Sequence, residues 1–572
     1  MNLRLNKLIA AMTVAGLTGT VLIGCGSGGA PDLTIETPVA APITAKYKYS
    51  FTFVNALDNT PITDDLTISV LGDAVDGGEI VDQDNVSVKG QTYTIKNGVF
   101  LAAANFDLSA AKDVFTVIAG NRSAGWNESG QQISKSTSTE GNQVVTIKLT
   151  NTKPAAVAAI NSDTKLGLAM KVEDLPKTAG GEIVASSKEV AAAPKNVTTV
   201  DGDSKPVGVA SVTFPASVKA KDDTGAAINV ANGVSVSVTK YSNNEASALA
   251  AFPGGFAPSV QAPSTAISTG TTAETGAFIS GGFAQFNVTD NATGKALKTF
   301  DKPLTLKIDL PKGSKDADGN AINTTTNNKY PIWSFDQASG KWVFETDGVV
   351  KEKTPVDPNN FEVEFTSTHL SYWNLDFYGS TCTGNLAITG RPTGDARPLT
   401  VEIVGTTGQR FYRTFTITDS QLTLNRYPQG TTVNVTIKDS KNVVRGTQNN
   451  LNLCATGQSA AVTLPAVTLA PLTVNVTESC RDGTSGKRAS PSTVYFYDNT
   501  ARTWKSGNTS NVNSVATITL NGIESGSTGT LYIYNRFTRR YEVTNNFAVA
   551  APSAVKNVNF PSLACTTGGQ PI

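Results

Sequence analysis

The sequence predicts an all-β protein built from tandem antiparallel β-sandwiches. Three observations carry that reading. Short runs alternate apolar and polar residues, among them "YSFTFV" (49–54), "VVTIKL" (144–149), "VSVSVTK" (234–240), "LTLKIDL" (304–310), "FEVEF" (361–365), "TVNVTIK" (432–438), "LTVNV" (472–476) and "ATITL" (516–520). Period two marks strands with one face in a core and one in water. Clusters of Gly, Pro, Asn and Asp separate the runs, and the chain holds 50 glycines and 26 prolines. No long stretch has helical period; "NNEASALAAF" (243–252) is the one candidate for a short helix.

With 572 residues the chain has room for roughly three to five domains. Boundaries fall where Pro, Ala and Lys interrupt the strand text. They give units at 45–153, at 160–378 with a polar loop at 262–276, at 379–467 and at 468–572.

Ahead of these lies an export signal. Arg4 and Lys7 form a positive start, and an apolar stretch from Leu8 to Ile23 is short for a membrane span. It ends in Leu22-Ile23-Gly24-Cys25. That text resembles the bacterial lipobox, which implies removal of residues 1–24 and acylation of Cys25, with 25–44 as a flexible tether. Several acyl chains make a durable anchor, since each buried methylene contributes ~0.8 kcal/mol. The resemblance implies an outer-membrane protein, lipid-anchored and either periplasmic or surface-exposed.

Four cysteines remain: Cys382, Cys454, Cys480 and Cys565. An even number in an exported chain predicts disulfides, with three pairings open. "NLCATGQ" around Cys454 and "LACTTGGQ" around Cys565 repeat one another, each near the end of a segment that opens close to a cysteine. Two modules clasped end to end, Cys382–Cys454 and Cys480–Cys565, account for the repeat.

Net charge is zero. Residues 380–572 carry 17 Lys+Arg against 9 Asp+Glu, which is far too sparse for a nucleic-acid arm. No nucleic-acid partner is expected. The expected partners are the membrane, through the acyl chains, and a cell-surface polysaccharide or protein.

His369, in "TSTHLSYWNLDFY" (366–378), is the single histidine. No H-E-x-x-H, second metal histidine or G-x-S-x-G accompanies it, so neither a metal site nor a hydrolase is expected. The plainer reading packs His369, Tyr372 and Trp373 into an inter-sheet corner. Upstream stand Trp333, Asp336, Gly340, Trp342 and Gly348. This order resembles a set of bacterial surface lipoproteins and cartilage intermediate layer protein, with their "W..D..tG.W … tHfSyWN.D" signature. It also resembles, over about 45 residues, the GPS autoproteolysis segment of the GAIN domain. That second likeness implies His369 as base, Ser371 as nucleophile and a cut between Leu370 and Ser371. It departs from the receptor pattern, because no cysteine lies between 26 and 381. Residues 45–153, with "FTFVNALDNTPITDDLTISV", resemble the transthyretin-like, carboxypeptidase-regulatory sandwiches, and the whole array has an immunoglobulin-like cast.

Two further stretches raise binding chemistry. "KDADGN" (315–320), with Asp316 and Asp318, looks like half an EF-hand loop, but position twelve is Asn327 and a hairpin turn suits it better than Ca2+. No cofactor is otherwise expected. In the last module Trp504, Tyr534 and Arg536 are candidate glycan contacts, set against the expectation that alternation buries about half of such rings. The sequence reads as a lipid-anchored structural or adhesive protein whose modules form a rod. The alternatives are a glycan-binding lipoprotein and a self-cleaving surface protein; it is not expected to be an enzyme otherwise.

Overall fold

The computed structural model describes residues 47–563, leaving out 77–79, 83–85, 96–98, 105–114, 134–140, 193, 199–203, 223, 244, 259, 262–275, 317, 393–394, 396, 407–409, 418, 440–441, 482–486, 500–502, 513–514 and 536–539. The signal and tether, Cys25, Arg536 and Cys565 lie outside the described residues. The described chain is all-β, in several sheets of mostly antiparallel strands.

In the first sandwich, alternation puts Tyr49, Phe51 and Phe53 of strand Tyr47–Asn55 on one face. They meet Leu66, Ile68, Val70, Phe115 and Val117 from the opposing sheet. One sheet runs Ile80–Asp82, Val99–Ala104, Tyr47–Asn55, Gly141–Leu149; the other runs Thr92–Ile95, Leu66–Leu71, Phe115–Asn121, Trp126–Ile133.

A helix, Pro154–Ser162, follows. Strand periodicity does not predict it, yet its signals are plain: a proline in the first turn and an alanine-rich body. Ile160 is its buried anchor. The candidate helix at 243–252 is reduced to Ala246–Leu249.

The middle unit is built on a 13-stranded sheet, beside a two-stranded one of Asn196–Thr198 and Ser204–Pro206. Ten strands follow a single hydrogen-bonded path: Lys188–Ala191, Ala210–Phe214, Thr299–Pro311, Asn360–His369, Lys341–Glu352, Lys329–Asp336, Tyr372–Gly379, Ala277–Asp290, Val234–Tyr241, Leu168–Leu175. Val190 and Val212 near one end of the path and Leu175 at the other belong to the same buried cluster, so the sheet folds over its own core. Strand Tyr372–Gly379 is buried along its whole length, which alternation alone does not predict. Trp373, Leu375 and Phe377 fill the inner core. Tyr372 and Tyr378 join a second apolar cluster on the outer face, which also contains Ile118 of the first sandwich and Leu386, Val401 and Phe411 of the third.

The third sandwich pairs a sheet of Gln421–Pro428, Thr381–Thr389 and Ser459–Ala461 with one of Tyr412–Ile417, Leu399–Gly405, Val433–Lys438 and Val444–Leu451. The fourth has its own core around Val474, Val494, Phe496 and Ile533. In all three sandwiches the first strand pairs in parallel with the last: Tyr47–Asn55 with Gly141–Leu149, Thr381–Thr389 with Ser459–Ala461, and Leu469–Cys480 with Ala554–Leu563. The expectation of modules strung end to end needs correction, because the Ser50 and Ser506 hydroxyls hydrogen-bond at 3.1 Å between the first sandwich and the fourth. Sheet faces with surplus polar and small side chains let a later module lie against an earlier one.

Candidate functional site

The His369 stretch crosses between two strands that do not pair with each other. Strand Asn360–His369 ends at the histidine and strand Tyr372–Gly379 begins three residues later. Leu370 is buried and donates its N–H to the Lys298 carbonyl at 2.9 Å. The Ser371 carbonyl accepts from the Phe286 N–H at 3.0 Å. The crossing is therefore pinned by backbone bonds on both sides.

The His369 ring stacks on Trp373, with centroids 5.0 Å apart. Its Nε2 lies 3.1 Å from Glu345 Oε1, and Ser334 Oγ donates to the same oxygen at 2.6 Å. Burial works against the Glu345 charge, but these bonds from His369 and Ser334 outweigh it and hold the carboxyl below its ordinary value. Ser371 Oγ donates to the Phe335 carbonyl. The base and nucleophile that the autoproteolysis resemblance implies are thus committed to different partners. Neither Leu370 nor Ser371 has a positive φ, and the peptide between them is trans. Self-cleavage would need the Ser371 hydroxyl on the base and a distorted peptide, and this arrangement has neither. The packing role read for His369, Tyr372 and Trp373 matches what these residues touch.

On the outer face, the same strand gathers the neighbouring modules. Tyr372 Oη donates to the Glu128 carbonyl at 2.9 Å, and Gln285 Nε2 donates to the same carbonyl at 3.1 Å. Asn287 Nδ2 donates to Asn127 Oδ1 at 3.1 Å, while Arg122 reaches both Asn287 Oδ1 and Glu128. Thr116 Oγ1 donates to the Gly340 carbonyl at 3.0 Å, and Gly254 N–H to the Gly130 carbonyl at 3.1 Å. These bonds seat strand Trp126–Ile133 of the first sandwich on the middle unit. Toward the third sandwich, Tyr378 Oη donates to the Pro258 carbonyl, as does Arg426 Nη2 at 2.9 Å. Phe256 and Phe411 meet edge to face at 6.0 Å.

Between the two docks lies a buried polar patch. Asn374 and Asp376 are fully enclosed, and their side-chain N and O atoms close no hydrogen bond of normal length. Asn374, Ser280 and the Gly281 N–H surround the Asp376 carboxyl. Burial pushes that carboxyl well above the usual carboxylate range. Lys240, also enclosed, faces Asp309 and Asp376, and burial pushes its amine down to about 8. The inter-module partners Glu128, Gln285, Asn287 and Arg426 are absent from the sequence-based candidates. One signal was there: "FAQFNV" alternates Ala284, Phe286 and Val288 with Gln285 and Asn287, and a strand buried on both faces needs partners for its polar side.

The remaining candidates separate. Asp316 Oδ1 accepts from the N–H groups of Asp318 and Asn320, and Oδ2 from Asn320 and Asn327 amides. The carboxylate closes a turn, the reading favoured over Ca2+ at Asp316 and Asp318, and no group of three or more His, Cys, Asp or Glu among the described residues could hold a metal. Tyr534 is buried, so its ring is not free to stack on a glycan, although alternation puts it on the face opposite Leu531 and Ile533 of the module's core. Trp504 pairs with Tyr497 in its strand, but its side chain is outside the described set. Cys382 and Cys454 form a disulfide. Cys480 is also disulfide-bonded, and its expected partner Cys565 lies outside the described residues.

No family model matches the chain, and no curated protein does. Among solved structures it is similar to the minor pilin GBS52 of Streptococcus agalactiae, at 7% identity over 31% of this chain and 94% of that one, TM-score 0.15. It is similar to the major pilin subunit of Bacillus cereus at 8% identity, over 90% and 99% of the two chains, TM-score 0.12. A leucine-rich repeat protein from Bacteroides thetaiotaomicron matches at 14% identity, over 32% of this chain and only 26% of that one, TM-score 0.13. At such TM-scores these likenesses carry nothing about function.

Proposed function

We propose that this chain is a lipid-anchored structural or adhesive protein of the bacterial cell surface, in which the middle unit acts as the hub for the sandwiches around it. The observation that carries the reading is the strand Tyr372–Gly379. One of its faces fills a core while the other bonds to the first sandwich through Tyr372 and to the segment beside the third through Tyr378. The residues that a self-cleaving or hydrolytic site would draw on are here used as structural joints. Anchoring is read from the Leu22–Cys25 text alone. Its test is Cys25→Ser in the producing cell: the variant is expected to leave the membrane fraction while wild type stays through a high-salt wash. A variant that still sediments with membranes would overturn the anchored reading.

A further inference from the structure

We propose that the fork between strands Lys341–Glu352 and Asn360–His369 binds an extended peptide that carries a basic side chain. This site goes beyond the structural reading above and does not depend on anchoring.

The two strands pair only from Val349↔Glu364 to Glu352↔Phe361. Beyond that point each turns to a different neighbour. Residues 341–348 stay with Lys329–Asp336, while Phe365, Thr366 and Ser367 stay with Thr299–Pro311. The edges part, and a cleft of ≈ 380 Å³ opens between them, lined by Glu345, Thr346, Asp347, Glu364, Thr366 and Trp373. That volume falls within the roughly 300–1,000 Å³ of ligand pockets.

Backbone alternation sets what the edges offer. The Val350 N–H donates to the Asn328 carbonyl, away from the fork. Val349 therefore faces Glu364, and Asp347, two residues on, turns its N–H and C=O into the fork. Thr366, two residues beyond Glu364, does the same from the other side. Val260–Gln261 already pairs with Trp342 and Val343. Between there and Val349 the edge at Asp347, like that at Thr366, has no ladder partner among the described residues, and such facing edges are a template for an added strand.

The side chains select the occupant. Glu345 is the extra residue of a β-bulge, opposite the Ile332/Trp333 step. Glu345 is met by His369, and Glu364 by Lys307 and Lys351. Asp347 is exposed and has no ion pair among the described residues. Trp373, only 1% exposed, lines the cleft, and its indole Nε1–H has no acceptor. A peptide supplies the cation that Asp347 lacks, with Trp373 forming the floor of the cleft beneath it. A bare metal ion does not suit the site, since the described carboxylates do not converge on one point.

The test uses the purified full chain and a fluorescein-labelled heptapeptide of alternating threonine and valine with one central lysine. Saturable fluorescence polarisation is expected. Replacing the lysine by norleucine, or using Asp347→Asn protein, should weaken binding at least tenfold. Proline on either side of the lysine should abolish it, because the backbone donor is lost. Asp347 is exposed, so the variant should melt with wild type, and its melting curve serves as the folding control. No saturation with the lysine peptide overturns the proposal. Equal binding of the proline peptide overturns strand addition, and equal binding by Asp347→Asn overturns the assignment to this cleft.

Discussion

The Tyr372 hydroxyl and the Gln285 amide share one acceptor, the carbonyl oxygen of Glu128, which stands 244 residues before Tyr372. Both lone pairs of that buried-edge carbonyl are used. Tyr372→Phe or Gln285→Ala alone leaves it one partner, and each should cost about 0.5–1.5 kcal/mol. The double variant leaves it none and adds a desolvation penalty of about 1–3 kcal/mol, so the pair should be non-additive. Urea unfolding followed by the first sandwich's own signal checks this; strict additivity would mean that the dock carries no load.

Lys240 should make stability rise with alkaline pH. Burial puts its folded-state value at about 8, below that of an unfolded lysine. Between the two values the unfolded chain holds a proton that the folded chain has released, so unfolding becomes harder as pH increases. Lys240→Met should remove a rise on the order of 3 kcal/mol across that window. The difference between the two stability–pH curves is the measurement. Parallel curves would show that the amine is hydrated.

The Cys382–Cys454 bond closes a loop of 72 residues. Its removal by paired Ser substitutions should lower the stability of the third sandwich by roughly 4 kcal/mol, if unfolded-state entropy dominates. Calorimetry should show one early transition, and the fourth sandwich, whose core is separate, should melt as before.

Freshly purified wild-type protein should run as a single chain on reducing, denaturing gels. Ser371 is hydrogen-bonded to the Phe335 carbonyl and His369 to Glu345, so no proton path joins them. Two bands that merge in Ser371→Ala would contradict this geometry.

Much of the fold was legible because alternation is a local signal. "YSFTFV" and "TVNVTIK" declare which face is apolar, and the structure buries that face. The repeated text around Cys454 and Cys565 likewise pointed to the Cys382–Cys454 clasp, which the structure forms. The site was legible only as a density of aromatic and polar residues. What Tyr372, Asn374 and Asp376 touch is fixed by chain hundreds of residues away, and no local period encodes that. The fork is hidden for a related reason. Residues 341–352 and 360–369 read as two ordinary strands, and only their separate third partners force them apart. In the last module, alternation named two equally good faces; Leu531 and Ile533 face the core with Val494 and Phe496, and Tyr534 is buried on the other face, beside Thr493, which no local period encodes.

Parallel pairing of first and last strands gives each sandwich a mechanical character. Tyr47–Asn55 and Gly141–Leu149 run side by side in register over nine positions, and Leu469–Cys480 runs likewise beside Ala554–Leu563. A chain that enters on one such strand and leaves on the other does so at opposite ends. Tension applied through the termini then lies along the strands, across the evenly spaced, slanted hydrogen bonds of a parallel pair. The bonds must yield together instead of one after another, as they would in an unzipping hairpin. Each sandwich is thereby built as a shear clamp, suited to bearing a load applied along its strands.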